Sequence, residues 1–183
     1  MSSHYEELLT RLGELLAGKV DYMVIGGFAL PSYGAIRATA DLDLAVRIQT
    51  PSEFENLIAV ARKSGFEPSV ASFSNPPVVL TDERTGMEVE LWLRPDGIVW
   101  DQETLKRRVL TRFESAELYV VSPEDFIVSK LARPDRGVQD EKDVKSVLVR
   151  MEGVIDKRYL ETRAANAGVL AILMAVERGG RES

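Results

Sequence analysis

The order of hydrophobic periods predicts an α/β (α+β) protein, with a sheet-bearing core over residues 1–121 and a helical segment packed on it over residues 122–183. Three observations carry that expectation. Runs with a period near two interleave with runs of helical period through the first two thirds of the chain. One of the short runs, Asp41-Leu42-Asp43-Leu44-Ala45-Val46-Arg47, alternates strictly. Beyond Ser122 only helical spacing remains, and no flexible linker marks the join.

Tyr5, Leu8, Leu9, Leu12, Leu15 and Leu16 share one face of a helix over 5–16. Asp21 to Ile25 is a short apolar strand stopped by Gly26-Gly27. A short helix opens on that pair, and Pro31 is expected to limit it to its first turn. Asp41 to Arg47 is a strand with unlike faces. Thr50-Pro51-Ser52-Glu53 supplies an N-cap, a proline at N1 and a glutamate at N3, and so starts a helix. That helix buries Phe54, Leu57, Ile58 and Ala61 and stops at Gly65. Val78 to Leu80, turn residues Asp82 to Gly86, and Met87 to Leu93 form a hairpin, and Leu118 to Val121 is a further strand. Ser122-Pro123-Glu124-Asp125 caps a helix burying Phe126, Ile127 and Leu131. A second helix covers about Gln139 to Met151, and one or two more cover about Asp156 to Glu177.

Composition removes several chemistries. The 183 residues contain no cysteine and a single histidine, His4, near the terminus. Disulfides, thiolate metal sites and histidine triads are therefore out of reach, and carboxylates, Lys, Arg, hydroxyls and backbone must do the work. A net charge of −6 argues against a protein that coats nucleic acid. Met1 to Glu7 is polar and acidic, unlike a signal peptide, and the apolar stretch Val169 to Val176 is too short to span a bilayer. A cytoplasmic protein without membrane contact is expected; the same stretch either packs on the core or forms a homodimer.

The acidic strand needs an explanation. Side chains at i and i+2 leave one face, so Asp41 and Asp43 project together, with Cα atoms roughly 6.5 Å apart. Two such charges repel by roughly 2–3 kcal/mol at an effective dielectric near 20, and Asp is a poor strand former. A hard divalent cation offsets both effects, and Mg²⁺ commonly sits between one or two carboxylates and substrate phosphates. Glu88 and Glu90 share a face of Met87-Glu88-Val89-Glu90-Leu91-Trp92, so a neighbouring strand is able to bring a third carboxylate to the first two. The competing reading makes both pairs solvated faces. Gly26-Gly27 follows a strand and opens a helix, where bare backbone N–H groups approach phosphate; a tight turn alone also explains it.

Gly26-Gly27, thirteen intervening residues, and then Asp41-Leu42-Asp43-Leu44 together resemble the polymerase-β-like nucleotidyltransferase superfamily. The intervening Phe28-Ala29-Leu30, Tyr33-Gly34 and Arg37-Ala38-Thr39 resemble its AbiEii/MenT-type branch, which includes toxins of toxin–antitoxin systems. The likeness covers about residues 20–150. It implies a mixed sheet with three carboxylates joined to a helical segment. It also implies transfer of a nucleoside monophosphate from an NTP such as ATP to a hydroxyl or phosphate acceptor. Val89-Glu90-Leu91 stands where the family carries its third acid, Ser122 to Leu131 resembles the helix bearing a lysine, and Asp140 and Asp143 match a later R-D-x-x-D element. The chain departs from the pattern in having Glu90 for Asp and Gln139 for Arg, and it is shorter than the toxin members.

The roles this resemblance implies are specific. Asp41, Asp43 and Glu90 would hold Mg²⁺ or Mn²⁺, with Glu88 the rival third ligand. Gly26, Gly27, Arg37, Thr39 and Lys130 would bind the NTP phosphates, and Asp140 would orient Lys130 or act as a base. The branch points to tRNA or another macromolecule, including protein, as acceptor. The acidic charge points to a small or cationic one, as in antibiotic-modifying relatives. A degenerate nucleotide-binding or antitoxin-like module is the reading from another class. Lys106-Arg107-Arg108 with Arg112 is a basic cluster that either meets a polyanion or lies on a solvated face, and Trp92 and Trp100 are expected in core packing.

Overall fold

The computed structural model describes residues 3–39, 41–74, 77–113 and 116–181. They form seven strands: β1 (Tyr22–Ile25), β2 (Leu42–Val46), β3 (Phe66–Val70), β4 (Val78–Asp82), β5 (Glu88–Trp92), β6 (Val109–Phe113) and β7 (Ala116–Val120). Seven α-helices accompany them: α1 (Ser3–Leu16), α2 (Pro51–Lys63), α3 (Gln102–Arg107), α4 (Pro123–Ala132), α5 (Val138–Arg150), α6 (Lys157–Asn166) and α7 (Leu170–Arg181). One mixed sheet holds the strands in the order β3-β4-β5-β2-β1-β7-β6. β2 pairs with β5 and β1 with β7 in parallel; the other neighbours are antiparallel.

Contacts divide the chain into two compact units. The first takes the chain up to Phe28, then Thr39–Arg94 and Arg108–Val120, and so holds the whole sheet with α1 and α2. Its core is Leu8, Leu12, Met23, Leu42, Leu44, Val89, Leu91 and Leu118, all buried. A part-buried ion pair ties α1 to the β4–β5 turn: Arg11 Nη1 lies 2.7 Å from Asp82 Oδ1, while Arg11 Nη2 donates to the Ser64 carbonyl at 2.6 Å. The Thr50 capping box is present at α2, with Glu53 N donating to Thr50 Oγ1 at 3.2 Å and Thr50 N to Glu53 Oε2 at the same distance.

The second unit takes Ala29–Ala38, Pro95–Arg107 and the chain from Val121 onward, and so holds α3 to α7. Ser122 caps α4 by accepting from Asp125 N at 3.1 Å. Phe126, Ile127, Leu131, Val144, Val147 and Leu160 are buried in it. So are Val169, Leu173 and Val176, which places the apolar face of α7 on α5 and α6 of its own chain. A part-buried polar network links α3, α4 and α6. Tyr159 Oη donates to Asp125 at 3.0–3.1 Å, and Arg163 Nη2 donates to Asp101 at 2.6 Å and to Thr104 Oγ1 at 3.1 Å. No helix among the described residues is long and apolar enough to cross a membrane.

Four features depart from the expected elements. The helix opened by Gly26 runs to Tyr33 as a 3-10 helix and passes through Pro31. Proline's fixed φ suits 3-10 geometry, so it removes one donor without breaking the segment, and burial of Phe28, Leu30 and Tyr33 holds it. β3, α3 and β6 are additional. β3 is an edge strand with Pro68 and an irregular register between Pro68 and Val70. α3 is a six-residue helix whose Thr104 N donates to Asp101 Oδ1 at 2.9 Å. β6 is the other edge, with Val109 and Leu110 both exposed.

Candidate active site

In the first unit, the parallel register of β2 and β5 sets Asp43 beside Glu90 and Leu42 beside Val89. Alternation then leaves Leu42, Leu44, Val89 and Leu91 in the core, and Asp43 and Glu90 together on the opposite face, both half-buried. Asp41 directly precedes β2 and is exposed, with Thr39 Oγ1 donating to its carbonyl at 3.5 Å. Glu88 opens β5, level with Thr81 of β4, and is exposed. The sheet thus brings Glu90, rather than Glu88, against Asp43. Among the described residues no three acidic side chains are posed to hold a metal ion.

β1 completes this corner. Its last residue, Ile25, pairs with Asp43, and Gly26 follows at φ +64°. A Cβ at Gly26 would collide with the Asp43 carboxylate, Oδ2 being the nearest atom. The glycine therefore serves both a left-handed turn and the seat of the acid, which links the Gly-Gly pair physically to the acidic strand. On the other side, Trp92 Nε1 donates to Asp43 Oδ1 at 3.4 Å. Core packing was the expectation for Trp92; it lies instead half-buried on the face of Glu90, a position that i, i+2 spacing along β5 would have indicated.

The second unit gathers Lys130, Asp140, Asp143 and Arg37. Lys130 is buried near the end of α4, with Nζ 2.9 Å from Asp140 Oδ1 and 3.4 Å from Asp143 Oδ2. Gln139 Nε2 donates to Asp143 Oδ1 at 2.8 Å, and Arg37 Nε lies 3.6 Å from the same oxygen. Asp140 sits in the first turn of α5 and accepts from Gly137 N at 3.0 Å. Burial pushes its carboxyl up, but the Gly137 amide and the Lys130 ammonium outweigh that and hold it below the ordinary range. Arg133 Nη1 also lies 3.9 Å from Asp140 Oδ1, so three cations face the two anions, which is why such charges tolerate burial.

The basic run is already engaged. Lys106 pairs with Glu103, Arg107 with Asp156 at 3.0 Å, and Arg108 with Asp21 at 3.3 Å and the Tyr22 carbonyl at 2.9 Å. Arg107 also stacks on Tyr159 and Arg108 on Tyr119. His4 is an exposed residue of α1.

Solved structures share this architecture. An antigenic nucleotidyltransferase-like protein from Paracoccidioides brasiliensis matches with a TM-score of 0.56 at 20% identity, over 96% of this chain and 92% of its own. The lincosamide antibiotic adenylyltransferase LnuA, solved with lincomycin bound, matches at 0.52 and 16%, over 80% and 96% of the two chains. The antibiotic-resistance factor ANT(2")-Ia, solved with adenylyl-2"-tobramycin, matches at 0.54 and 11%, over 91% and 97%. At these identities the likeness establishes the fold, an α/β mixed sheet with helices. Among curated proteins, none matches the sequence. A family model described as "Nucleotidyl transferase of unknown function (DUF2204)" matches residues 4–167, and the chain belongs to that family.

Proposed function

We propose that the chain is a metal-dependent enzyme that moves a nucleoside monophosphate from an NTP to an acceptor hydroxyl, releasing pyrophosphate. The observation that carries this reading is the side-by-side register of Asp43 and Glu90, with Gly26 of the adjoining strand seated on Asp43. The donor set fits Mg²⁺ or Mn²⁺: the oxygens are hard, and two carboxylates suffice when substrate phosphates complete the shell. Asp43 and Glu90 would hold the ion, with Asp41 the third ligand from the exposed segment before β2. Such an ion, when bound, neutralises phosphate charge and eases deprotonation of the acceptor hydroxyl.

The chain's own groups do the remainder. Gly26 and Gly27 present backbone N–H groups to phosphate at the start of the 3-10 helix, and Thr39 adds a hydroxyl beside Asp41. In the second unit, Arg37 and Lys130 are the cations that the family resemblance assigns to phosphate; both are paired with Asp143, and Lys130 with Asp140 as well. Asp140 is assigned the orientation of Lys130 rather than base catalysis, because a carboxylate held by an amide and an ammonium binds protons weakly.

For the acceptor, a small hydroxyl compound is the favoured class. The Lys106-Arg107-Arg108 run is tied up in its own ion pairs, and four carboxylates on β2, β5 and their margins repel a polyanion. Two of the structural neighbours are described as antibiotic-resistance or antibiotic-adenylylating proteins. The resemblance of the motifs around Gly26 and Asp41 to the AbiEii/MenT-type branch makes tRNA the alternative acceptor.

The test incubates the protein with each α-labelled NTP, Mg²⁺ or Mn²⁺, and either aminoglycoside and lincosamide antibiotics or total RNA. Label should move to a small hydroxyl compound and be lost in Asp43→Asn. Label on RNA would favour the toxin-like branch, and transfer surviving Asp43→Asn would sink the metal-site assignment. Absence of both transfer and thermal stabilisation by any NTP with metal would refute the enzyme reading, since a bound ligand must raise stability by mass action.

A further inference from the structure

We propose that Trp92 is a positioning residue for Asp43, its indole N–H fixing the rotation of that carboxylate; this rests on Asp43 as a metal ligand, as argued above. Both oxygens of Asp43 are met by built features of the sheet. Oδ1 accepts from Trp92 Nε1 at 3.4 Å, and Oδ2 lies over Gly26 where a Cβ would otherwise stand. Rotation about the terminal torsion of an aspartate is broad and weakly restrained. A contact on each oxygen removes that freedom. The register makes the arrangement possible, since Ala45 pairs with Trp92 and Asp43 with Glu90. The small Ala45 side chain leaves the indole room over β2.

The chemistry of the indole suits the task. It donates and does not accept, so it neither competes for the cation nor loses its proton. Partners of this kind orient a ligand and raise its affinity, and their removal typically weakens metal binding about 10–100-fold. Trp100 supplies the internal contrast: its Nε1 is buried and has no hydrogen-bond partner among the described residues.

The experiment reads the metal alone, without turnover. The chain has two tryptophans, so a ¹⁵N-labelled sample gives two indole signals, and Trp92→Phe assigns them. On titration with Mg²⁺ the Trp92 signal should move and the Trp100 signal should stay. By calorimetry, Trp92→Phe should bind Mg²⁺ about 10–100-fold more weakly. Trp92→Gln, which returns an N–H at similar reach, should recover most of that loss. Circular dichroism confirms that each variant is folded. Wild-type uptake of Mg²⁺ that Trp92→Phe leaves unchanged overturns this proposal alone. Weak binding by both variants assigns the effect to ring packing and overturns it too. No Mg²⁺ uptake by the wild-type protein overturns the metal-site reading and this proposal with it.

Discussion

Replacing Lys130 by methionine keeps the length of the side chain and removes its charge, so it tests the buried ion cluster of the second unit without leaving a large hole. The ammonium stands 2.9 Å from Asp140 and 3.4 Å from Asp143, and all three residues are buried. At an effective dielectric near 20, each attraction is worth about 5–6 kcal/mol before the desolvation of the ions is subtracted. Removing one partner of a buried pair costs about 3–5 kcal/mol net, because the remaining charge is stranded. For a chain of this size that lowers Tm by about 6–20 °C, at about 2–4 °C per kcal/mol. The loss should depend on pH. In the wild-type protein the folded Asp140 carboxyl lies below its ordinary 3.8, so its contribution is complete above that value and fades as the pH falls further. Without Lys130, its hydrogen bond and charge no longer hold the folded carboxyl down, so the group moves up from its wild-type position and protonation relieves the variant first. The gap between the two proteins should therefore narrow as the pH falls from 7 into the acid range, measured by urea unfolding. A loss below about 1 kcal/mol, as at an exposed pair, or one that does not change with pH, would refute the reasoning.

Gly26→Ala forces a side chain into φ +64° and onto Asp43. It should cost roughly 1–2 kcal/mol in stability from the left-handed backbone and about 100-fold in kcat from displacement of the acid, by denaturant unfolding and steady-state assay. Asp101 is held at about 2 by the Arg163 guanidinium, so its contribution is present above 3.8 and lost as the pH falls toward 2. Asp101→Asn should flatten the acid limb of Tm against pH within that window. Thr50→Ala removes the acceptor for Glu53 N at the start of α2 and should cost about 1 kcal/mol by urea unfolding.

Much of the fold was legible because local chemistry and burial agree. Alternation marked β2, capping residues marked α2 and α4, and the turn residues Asp82 to Gly86 marked the β4–β5 hairpin. The strand at β3 hid behind Pro68, which reads against a strand unless the strand lies at an edge. β6 hid because Val109 and Leu110 are both exposed, so the period of two that burial imposes is missing. In the candidate site, the coexistence of Asp41, Asp43 and Gly26 was readable, whereas local pattern alone left Glu88 and Glu90 as rivals and only the family resemblance favoured Glu90. The choice depends on a parallel register between strands far apart in sequence, which local pattern does not encode. Lys130, equally readable as a solvated helix charge, is buried because Asp140 and Asp143 arrive from another helix. Core packing is the natural expectation for Trp92 because an aromatic residue on a strand fills space; its N–H finds Asp43 only through the register of β2 and β5.

β2 and β5 lie inside the sheet, hydrogen-bonded on both flanks, whereas β3 and β6 each have one open side. Amide protons on an interior strand exchange with solvent only through openings that undo two ladders at once, while an edge peels alone. The amides of Asp43 and Glu90 should thus be among the last in their unit to take up deuterium, and those of β3 and β6 among the first. Fraying at either rim leaves the acidic pair where it stands.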